Sequence, residues 1–299
     1  MREALKPNLV QTSYGTPALI HGGPFANIAH GCNSIIATKL ALSLSDYVVT
    51  EAGFGSDLGA EKFLDIKCQE ANLKPELCVV VATIRALKLH GGADENNLEC
   101  EDLESLKKGL PNLERHLNNM KKFGLPTICN INIFSSDTKN ELELLENWLN
   151  EKGFKFALND AYSKGAEGAI DIAKLAVETI DENNSSFHPL YTKDMKLADK
   201  INLICKEIYG AKNVIYSEKA LAQLSEYEKK YSDFYVCMAK TPLSFSDDPK
   251  IKGAPDNFDI HIKRINLSHG AKFIVPLTGA IMTMPGLPKI PAAVKMEEE

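Results

Sequence analysis

The fold of this chain can be worked out from the run Cys78-Val-Val-Val-Ala-Thr-Ile-Arg-Ala-Leu-Lys-Leu-His-Gly-Gly92. Its first seven residues are mostly apolar and rich in valine, which predicts a buried strand of a parallel sheet over Cys78–Ile84. An arginine, a lysine, a histidine and two glycines then follow at the carboxyl end of that strand. Because open α/β sheets bind ligands outside the carboxyl ends of their strands, Arg85 and Lys88 predict a site for an anionic substrate or product. A surface loop with solvated basic side chains is the alternative.

Similar apolar runs alternate with helical periodicity over the first two thirds of the chain. We predict strands at Tyr47–Thr50, Cys78–Ile84, Thr127–Ile133 and Phe154–Leu158, and helices near residues 24–43, 57–70, 102–122 and 137–152. Strands that alternate with helices predict an α/β fold, in which helices wrap a parallel sheet.

The last third of the chain has a different order of elements. We predict a helix near residues 193–208, a helix capped by Ser217, and strands at Asn213–Tyr216, Phe234–Met238, Phe258–Leu267 and Phe273–Leu277. This order predicts a smaller α+β domain. We therefore expect one domain over residues 1–190 and a second over residues 191–299.

Three further residues mark predicted helix boundaries. Pro24 fits the first position of a helix. Pro111 is predicted to begin a second helix rather than to interrupt one long helix. Asp137 is a candidate cap for the helix that Gly153 ends.

The composition is typical of a soluble globular protein, with 44% hydrophobic and 25% charged residues. A net charge of −6 without a long Lys/Arg run argues against broad electrostatic capture of nucleic acid. Seven cysteines without a CxxC pair favour reduced thiols and a cytoplasmic location. The N terminus lacks the apolar stretch of a signal peptide, and no apolar run is long enough to span a membrane.

The spacing of the histidines, cysteines and glycines argues against several kinds of catalytic site. Histidines and cysteines do not occur at zinc-ligand spacing, so we predict no metal site. No G-x-S-x-G motif is present, and no G-x-G-x-x-G follows a strand.

A first polar cluster follows two glycines, in His21-Gly-Gly-Pro-Phe-Ala-Asn27-Ile-Ala-His30. Glycines before a helix let the backbone approach a ligand, and the free N–H groups of the first turn attract anions. Asn27, His30, Ser34 and Thr38 are spaced to form one polar stripe on that helix. An ordinary solvated helix face is the alternative.

A second cluster, Thr50-Glu51-Ala-Gly-Phe54-Gly-Ser-Asp57, directly follows a predicted strand. Glu51 at the strand end could bind a metal-associated water or a substrate amine, while the glycines would present Phe54 in a tight loop. A glycine-rich turn in which Asp57 only caps the next helix is the alternative.

A third cluster places one aromatic residue after each of two neighbouring strands. Phe134 follows the strand predicted at Thr127–Ile133, and Tyr162 follows the strand predicted at Phe154–Leu158. Two such rings can sandwich a flat heterocycle. Without a family argument, ordinary packing at the rim of the sheet is the alternative.

Several long strings in this chain resemble the formate–tetrahydrofolate ligase family. They are Lys6-Pro-Asn-Leu-Val-Gln11, Thr16 to Ser34, Tyr47 to Lys67, Val81 to Gly92, Val236-Cys-Met-Ala-Lys240 and Met282-Thr-Met-Pro-Gly-Leu-Pro-Lys289. The resemblance implies a fold related to the P-loop NTPases with smaller appended domains. It also implies that formate, ATP and tetrahydrofolate react through formyl phosphate, which the folate N10 attacks to give 10-formyltetrahydrofolate.

Site residues are carried over from the family by motif. The resemblance places the pterin ring between Phe134 and Tyr162, although the family usually has tryptophan at the second position. Phe54 and Leu158 fall at further pocket positions, and Ser135 stands where the family usually has proline. The predicted catalytic residues are His21, Asn27, His30, Glu51, Arg85 and Lys88.

The family's P-loop motif, G-x-x-x-x-G-K-[ST], does not occur in this sequence. Without it, no segment supplies the backbone cradle and lysine that hold ATP phosphates and Mg²⁺. We therefore expect this chain to be the C-terminal half of such a ligase and to be inactive alone. It would work with a P-loop-bearing companion polypeptide. Whether a monovalent cation binds is left open. The alternatives are a non-catalytic folate-binding or scaffolding remnant, motivated by altered positions such as Asn266, and a homo-oligomeric structural module.

Overall fold

A computed structural model describes residues 6–20, 31–279 and 281 of the 299-residue chain. It begins with an antiparallel hairpin of β1 (Asn8–Gln11) and β2 (Pro17–Ile20). Helix α1 (Ile35–Leu44) follows, and π-helical turns over Ser56–Ala60 and Phe63–Cys68 then lead into α2 (Gln69–Ala71).

A three-stranded parallel sheet organises the middle of the chain. It consists of β3 (Cys78–Ala82), β4 (Thr127–Asn132) and β5 (Lys155–Asn159), in that spatial order. Its helices are α3 (Ile84–His90), α4 (Leu103–Lys121), α5 (Lys139–Glu151), α6 (Ala161–Lys164) and α7 (Ile170–Asp181). The predicted mixed α/β class with a parallel sheet is confirmed.

The C-terminal part contains two small sheets. Helix α8 (Leu197–Leu203), a π-helical segment (Ile204–Tyr209) and α9 (Glu218–Tyr231) accompany β6 (Asn213–Tyr216), β7 (Tyr235–Val236), β8 (Asp259–Ile262), β9 (Arg264–Ser268) and β10 (Phe273–Leu277). Strands β6 and β8 pair in parallel, and β10 lies between β7 and β9. The single strand predicted over residues 258–267 is therefore two strands.

The larger apolar core joins residues on both sides of position 190. Phe63 and Phe123 from the first part share one buried cluster with Ile204, Val236 and Ile274 from the second. The proposed boundary between residues 190 and 191 stays a prediction.

One predicted strand is absent, and another ends earlier than predicted. Tyr47–Thr50 forms no strand, because it pairs with no other strand in the described part of the chain, and Val49 there is fully exposed. The strand predicted over residues 78–84 ends at Ala82. The Thr83 hydroxyl accepts a hydrogen bond from the Ala86 N–H at 3.1 Å and caps α3.

Two predictions of helix starts were also wrong. The helix predicted near residues 24–43 begins at Ile35 in its described part, where the Ser34 hydroxyl accepts from the Ala37 N–H at 3.2 Å; Pro24 lies outside the described residues. Asp137 does not cap α5, since Thr138 does so in a reciprocal capping box with Glu141.

Helix α4 runs through Pro111 without a break. The proline removes the helical hydrogen bond to the Lys107 carbonyl. Both residues are exposed, so water can satisfy that carbonyl. The prediction of a second helix starting at Pro111 was therefore wrong.

No helix in the described ranges combines the length and apolar character needed to cross a membrane. All seven cysteines are free thiols, and only Cys100 is exposed.

Candidate functional site

The carboxyl edge of the β3–β4–β5 sheet carries an arginine that belongs to a helix, not to a loop. Because α3 begins at Ile84, Arg85 lies in its first turn. The Arg85 guanidinium carbon lies 5.0 Å from the centre of the Phe134 ring, in a cation–π contact. Its Nη2 also donates to Ser136 Oγ at 3.2 Å and pairs with Glu99 at 2.7 Å. Arg85 therefore joins α3 to the loop that follows β4.

The loop that holds Phe134 is itself closed by a short hydrogen bond. The Phe134 N–H donates to Asp137 Oδ2 at 2.8 Å. Burial raises the pKa of the Asp137 carboxyl, while the hydrogen bond from Phe134 lowers it. Asp137 thus orients Phe134 at the strand end.

The second aromatic, Tyr162, stands on the next strand end. It lies on α6, directly after β5, and is 91% exposed. Leu158 of β5 is half-buried and pairs with Ile131 of β4, whereas Ser135 is exposed. The structure thus places Phe134, Leu158 and Tyr162 on adjacent strand ends with open surface around them. We call these three residues and Arg85 the strand-end rim, or the rim.

Lys88 does not lie in a solvated surface loop, which was the alternative that the sequence left open. It is buried on α3, where its ammonium pairs with Glu141 Oε1 at 2.8 Å and donates to the Cys100 carbonyl at 2.8 Å. Glu141 also accepts the N–H groups of Asp102 and Thr138. Because all these contacts are inside the protein, Lys88 joins α3 to α5 and does not face the rim.

Phe54 is held in an unusual backbone conformation. Its φ angle is +66°, a left-handed value that is rare for an aromatic residue and costs free energy. The neighbouring Gly53 N–H donates to the Gly31 carbonyl at 3.0 Å, and both Glu51 and Phe54 are exposed. The loop therefore presents Phe54 to solvent at a conformational cost that the surrounding contacts offset.

An ion pair lies below this loop. Asp57 Oδ2 accepts from Lys240 Nζ at 2.7 Å, and both side chains are buried. Lys240 also donates to the carbonyls of Thr241 and Ser244, and its ammonium lies 5.1 Å from the Tyr209 ring centre. Asp57 was a possible helix cap from sequence, but no side chain caps that helix. Asp57 instead anchors the loop to the C-terminal part.

A neutral histidine lies in the same buried region. Ser56 Oγ is 2.7 Å from His116 Nδ1, and the Ser56 N–H donates to the same nitrogen at 3.3 Å. Since Nδ1 accepts this N–H, it carries no proton. Burial lowers the pKa of His116 to about 4, against the opposing field of Asp57. Asn119 Nδ2 donates to Ser56 Oγ at 3.1 Å and completes the network.

Two buried carboxyl groups continue this region along the π-helical segment. Burial raises the pKa of Glu61, and Lys62 opposes the effect. Burial and the neighbouring Glu61 raise the pKa of Asp65 well above its usual range. Asp65 Oδ1 accepts the Leu190 N–H at 2.7 Å. Asp65 Oδ2 and both carboxyl oxygens of Glu61 are buried and have no hydrogen-bond partner among the described residues. We call Asp57, Glu61, Asp65, His116 and Lys240 the buried polar cluster.

Helix α3 connects the rim with the buried polar cluster. Arg85 in its first turn contacts Phe134, and His90 at its end accepts the Gly253 N–H at 3.1 Å. Burial lowers the pKa of His90, and the Asp57 carboxylate acts in the opposite direction. One short helix therefore ties the rim to the interior.

Sequence reasoning missed Ser56, His116 and Asn119 as members of this region. Lys240 lies in the string Val236–Lys240 that resembles the family, but no neighbouring residue in the sequence indicated that Asp57 is its partner. His21, Asn27 and His30 lie outside the described residues. Of the polar stripe predicted with them, Ser34 is a helix cap and Thr38 is buried, accepting a hydrogen bond from Lys67 at 2.8 Å.

Two open cavities lie away from this rim. One, of about 430 Å³, is lined by Arg115, Lys122 and Lys206, and the other, of about 440 Å³, by Phe154, Phe156 and Leu175. Neither includes a predicted site residue. No group of three or more His, Cys, Asp or Glu side chains suited to a metal ion occurs among the residues that the structure describes.

Comparison with known proteins identifies a family. A family model for formate–tetrahydrofolate ligase matches residues 1–299. Proteins named formate–tetrahydrofolate ligase from Staphylococcus aureus strains NCTC 8325 / PS 47, MSSA476 and MRSA252 are each 55% identical over 298 residues. Each match covers 99% of this chain and 54% of the relative. The chain therefore spans about half the length of the curated relatives it matches.

Proposed function

Because the chain belongs to the formate–tetrahydrofolate ligase family, we propose that it supplies the folate-binding wall of such a ligase. The reaction joins formate to tetrahydrofolate with ATP. It passes through formyl phosphate, which the folate N10 attacks with release of phosphate. The observation that carries the proposal is the rim itself, where Arg85 and Phe134 lie in contact beside the strand end that bears Tyr162.

The rim has the chemistry needed for a pterin. Phe134 and Tyr162 stand after neighbouring strands, so a flat ring can stack between them. Leu158 and Phe54 would add apolar contact, and Ser135 would leave more space than the proline usual in the family. Tyrosine offers less stacking area than tryptophan, so folate affinity depends more strongly on Phe134.

The proposed roles fall to Arg85 at the rim, to the buried Lys88, and to Glu51 together with three residues outside the described part. Arg85 would bind the anionic formyl phosphate, because a guanidinium can hold phosphate or carboxylate oxygens through paired hydrogen bonds. Glu51, with His21, Asn27 and His30, is proposed to handle the amine and its proton. Lys88 is proposed to position α3, since its ammonium is already satisfied by Glu141 and Cys100.

ATP and Mg²⁺ require a part that this sequence does not contain. The P-loop motif is absent from all 299 residues. We propose that a P-loop-bearing polypeptide supplies it and that the two together complete a P-loop-NTPase-like sheet in the cytoplasm. Residues 191–299 would form the smaller appended domain, and ATP and Mg²⁺ would bind only in the assembled enzyme.

Reconstitution tests the function. This chain is mixed with the part of the S. aureus relative that the match leaves uncovered, and ADP release is followed with formate, ATP and tetrahydrofolate. We expect release that depends on both formate and folate, with each half inactive alone. Release that ignores folate, or none at all with a folded partner, would contradict the proposal.

A non-catalytic folate-binding remnant is the second candidate. The full exposure of Tyr162 and the serine at position 135 favour it, because both weaken the expected pocket. Calorimetry of the mixed halves with tetrahydrofolate separates the two candidates. Heat of binding without any ADP release would favour the remnant.

A further inference from the structure

Phe54 stands between two glycines in Gly53-Phe-Gly-Ser56, which we call the Phe54 segment. At one end of the segment, the Gly53 N–H donates to the Gly31 carbonyl at 3.0 Å. At the other end, the buried Ser56 begins a π-helical turn. Glycines rotate easily, so without contacts at both ends the chain would let Phe54 leave its φ angle of +66°. The strained angle therefore depends on the contacts that fix the two ends.

Helix α4 supplies the side-chain contacts at Ser56. His116 Nδ1 accepts the Ser56 N–H at 3.3 Å and lies 2.7 Å from Ser56 Oγ. Asn119, three residues further along the helix, donates to the same Oγ at 3.1 Å. Asn119 also donates to the Ile208 carbonyl at 2.9 Å, which fixes its own position. One well-packed helix therefore holds this end of the Phe54 segment.

Close packing leaves the Phe54 segment little room to shift. A Cβ at Gly55 would lie 2.8 Å from His116 Cε1, and a Cβ at Gly59 would lie 1.6 Å from the Gly53 carbonyl oxygen. The π-helical turn thus folds back directly onto the segment. The His116 ring also packs against the buried Phe245, with 4.6 Å between ring centres. The imidazole is therefore itself held in place where it touches the segment.

The surroundings of His116 keep its ring neutral. Burial has the largest effect and lowers the pKa of His116 to about 4. Three groups on other parts of the chain or on the same helix also disfavour a proton there: His90 of α3, Lys240 after β7 and Arg115 of α4. The Asp57 carboxylate acts in the opposite direction. Near pH 7 the ring carries no net charge, and Nδ1 serves as an acceptor.

We propose that His116 is a positioning residue for tetrahydrofolate binding and that it acts on the ligand only through Phe54. The imidazole holds Ser56, the segment keeps its strained angle, and the half-exposed Phe54 ring stays turned outward for the ligand. This role rests on the proposed function, because that function makes Phe54 a pocket residue. A histidine that only stabilises the fold is the alternative.

A double-mutant cycle tests whether His116 acts through Phe54. The full chain carries His116→Leu, Phe54→Ala or both, and each variant is assembled with the uncovered part of the S. aureus relative. His116→Leu removes the acceptor and should raise the KM for tetrahydrofolate about tenfold, with kcat and the KM for ATP unchanged. Phe54→Ala keeps a side chain at the strained angle and removes only the ring. In that background, His116→Leu should change the KM by less than about twofold.

His116→Asn and Asn112→Leu are the matched controls. The asparagine keeps an acceptor for the Ser56 N–H, so the KM for tetrahydrofolate should stay near the wild-type value. Asn112 lies one turn earlier on α4 and donates to the Gly253 carbonyl at 2.8 Å. Asn112→Leu therefore removes a buried hydrogen bond from the same helix. It should lower the melting temperature, as His116→Leu does, but leave the KM for tetrahydrofolate unchanged.

Hydrogen exchange of the full chain alone gives a measurement that needs no folate. His116→Leu should speed the exchange of the Gly53 and Ser56 N–H groups, whereas Asn112→Leu should not. Wild-type exchange rates in His116→Leu would overturn the inference. So would an equal rise in KM with and without the Phe54 ring, because His116 would then act by another route.

The two measurements also separate this inference from the proposed function. A wild-type mixture that binds no tetrahydrofolate would overturn the proposed function. The exchange rates would then still decide whether His116 holds the Phe54 segment.

Discussion

The buried polar cluster and the strand-end rim differ in how their charged side chains are paired and in how far they are buried. In the cluster, Asp57 and Lys240 are paired at 2.7 Å with both side chains buried. At the rim, Arg85 is partly exposed and shares its contacts among Glu99, Ser136 and Phe134. The Asp57–Lys240 pair is thus satisfied inside the protein, whereas the rim keeps surface available. The difference indicates that buried contacts hold the site in position, whereas the rim stays open to solvent.

Breaking the interior pair should have the largest effect. Lys240→Met leaves the Asp57 carboxylate buried without its partner, which costs about 3–5 kcal/mol of unfolding free energy. Urea unfolding at pH 7 measures the loss.

Two controls sharpen that measurement. Lys230→Met breaks an exposed pair with Glu226 and should leave the unfolding free energy almost unchanged. The double variant Asp57→Asn with Lys240→Met should be more stable than the sum of the single changes predicts. Additive effects would show that the two groups are not coupled.

The paired carboxyls should give the cluster an unusual pH dependence. Folded Glu61 keeps a proton that the unfolded chain releases above about pH 4.5. Raising the pH from 5 to 9 therefore lowers stability, and Glu61→Gln should remove on the order of 2 kcal/mol of that loss. Unfolding curves of both proteins across this range measure it.

His116 supplies a control of opposite sign. The pKa of His116 is about 4 in the folded chain, against an ordinary value of 6.5. As the pH falls below 6.5, the unfolded chain therefore takes up a proton that the folded chain does not. His116→Asn keeps an acceptor for Ser56 and should flatten the loss of stability between pH 6.5 and 4. Unchanged slopes in both variants would show that neither group titrates as its burial implies.

At the rim, Arg85→Met should affect binding more than stability. The salt bridge of Arg85 with Glu99 is exposed and contributes less than about 1 kcal/mol to folding. Loss of a charged hydrogen-bond donor to the substrate should cost about 1.5–3 kcal/mol, seen as a raised KM for formate in the reconstituted enzyme. Lys155→Met, which also removes an exposed cation, should leave KM unchanged.

The smallest effect is expected at Tyr162. Tyr162→Trp enlarges the stacking surface and should tighten tetrahydrofolate binding by about 0.5–1 kcal/mol, with unchanged melting temperature. Calorimetry on the assembled halves measures it, and Tyr162→Ala should weaken binding. Equal affinities for all three proteins would remove Tyr162 from the folate pocket.

Prediction from sequence succeeded where local signals agreed. Strands β4, β5, β6 and β10 combine apolar runs with clear flanking turns, and each lies within a residue or so of its predicted place. It failed where two local signals competed. Ile84 fits a strand by type, but the Thr83 cap starts a helix there.

The sequence by itself determined the family, the alternation of strands and helices, and the aromatic residues after β4 and β5. Only the tertiary structure decided which charges are buried. Asp57 and Lys240 are 183 residues apart, and Lys88 and Glu141 are 53 apart. Local sequence cannot indicate such pairs, because the low dielectric environment that makes them necessary exists only after folding.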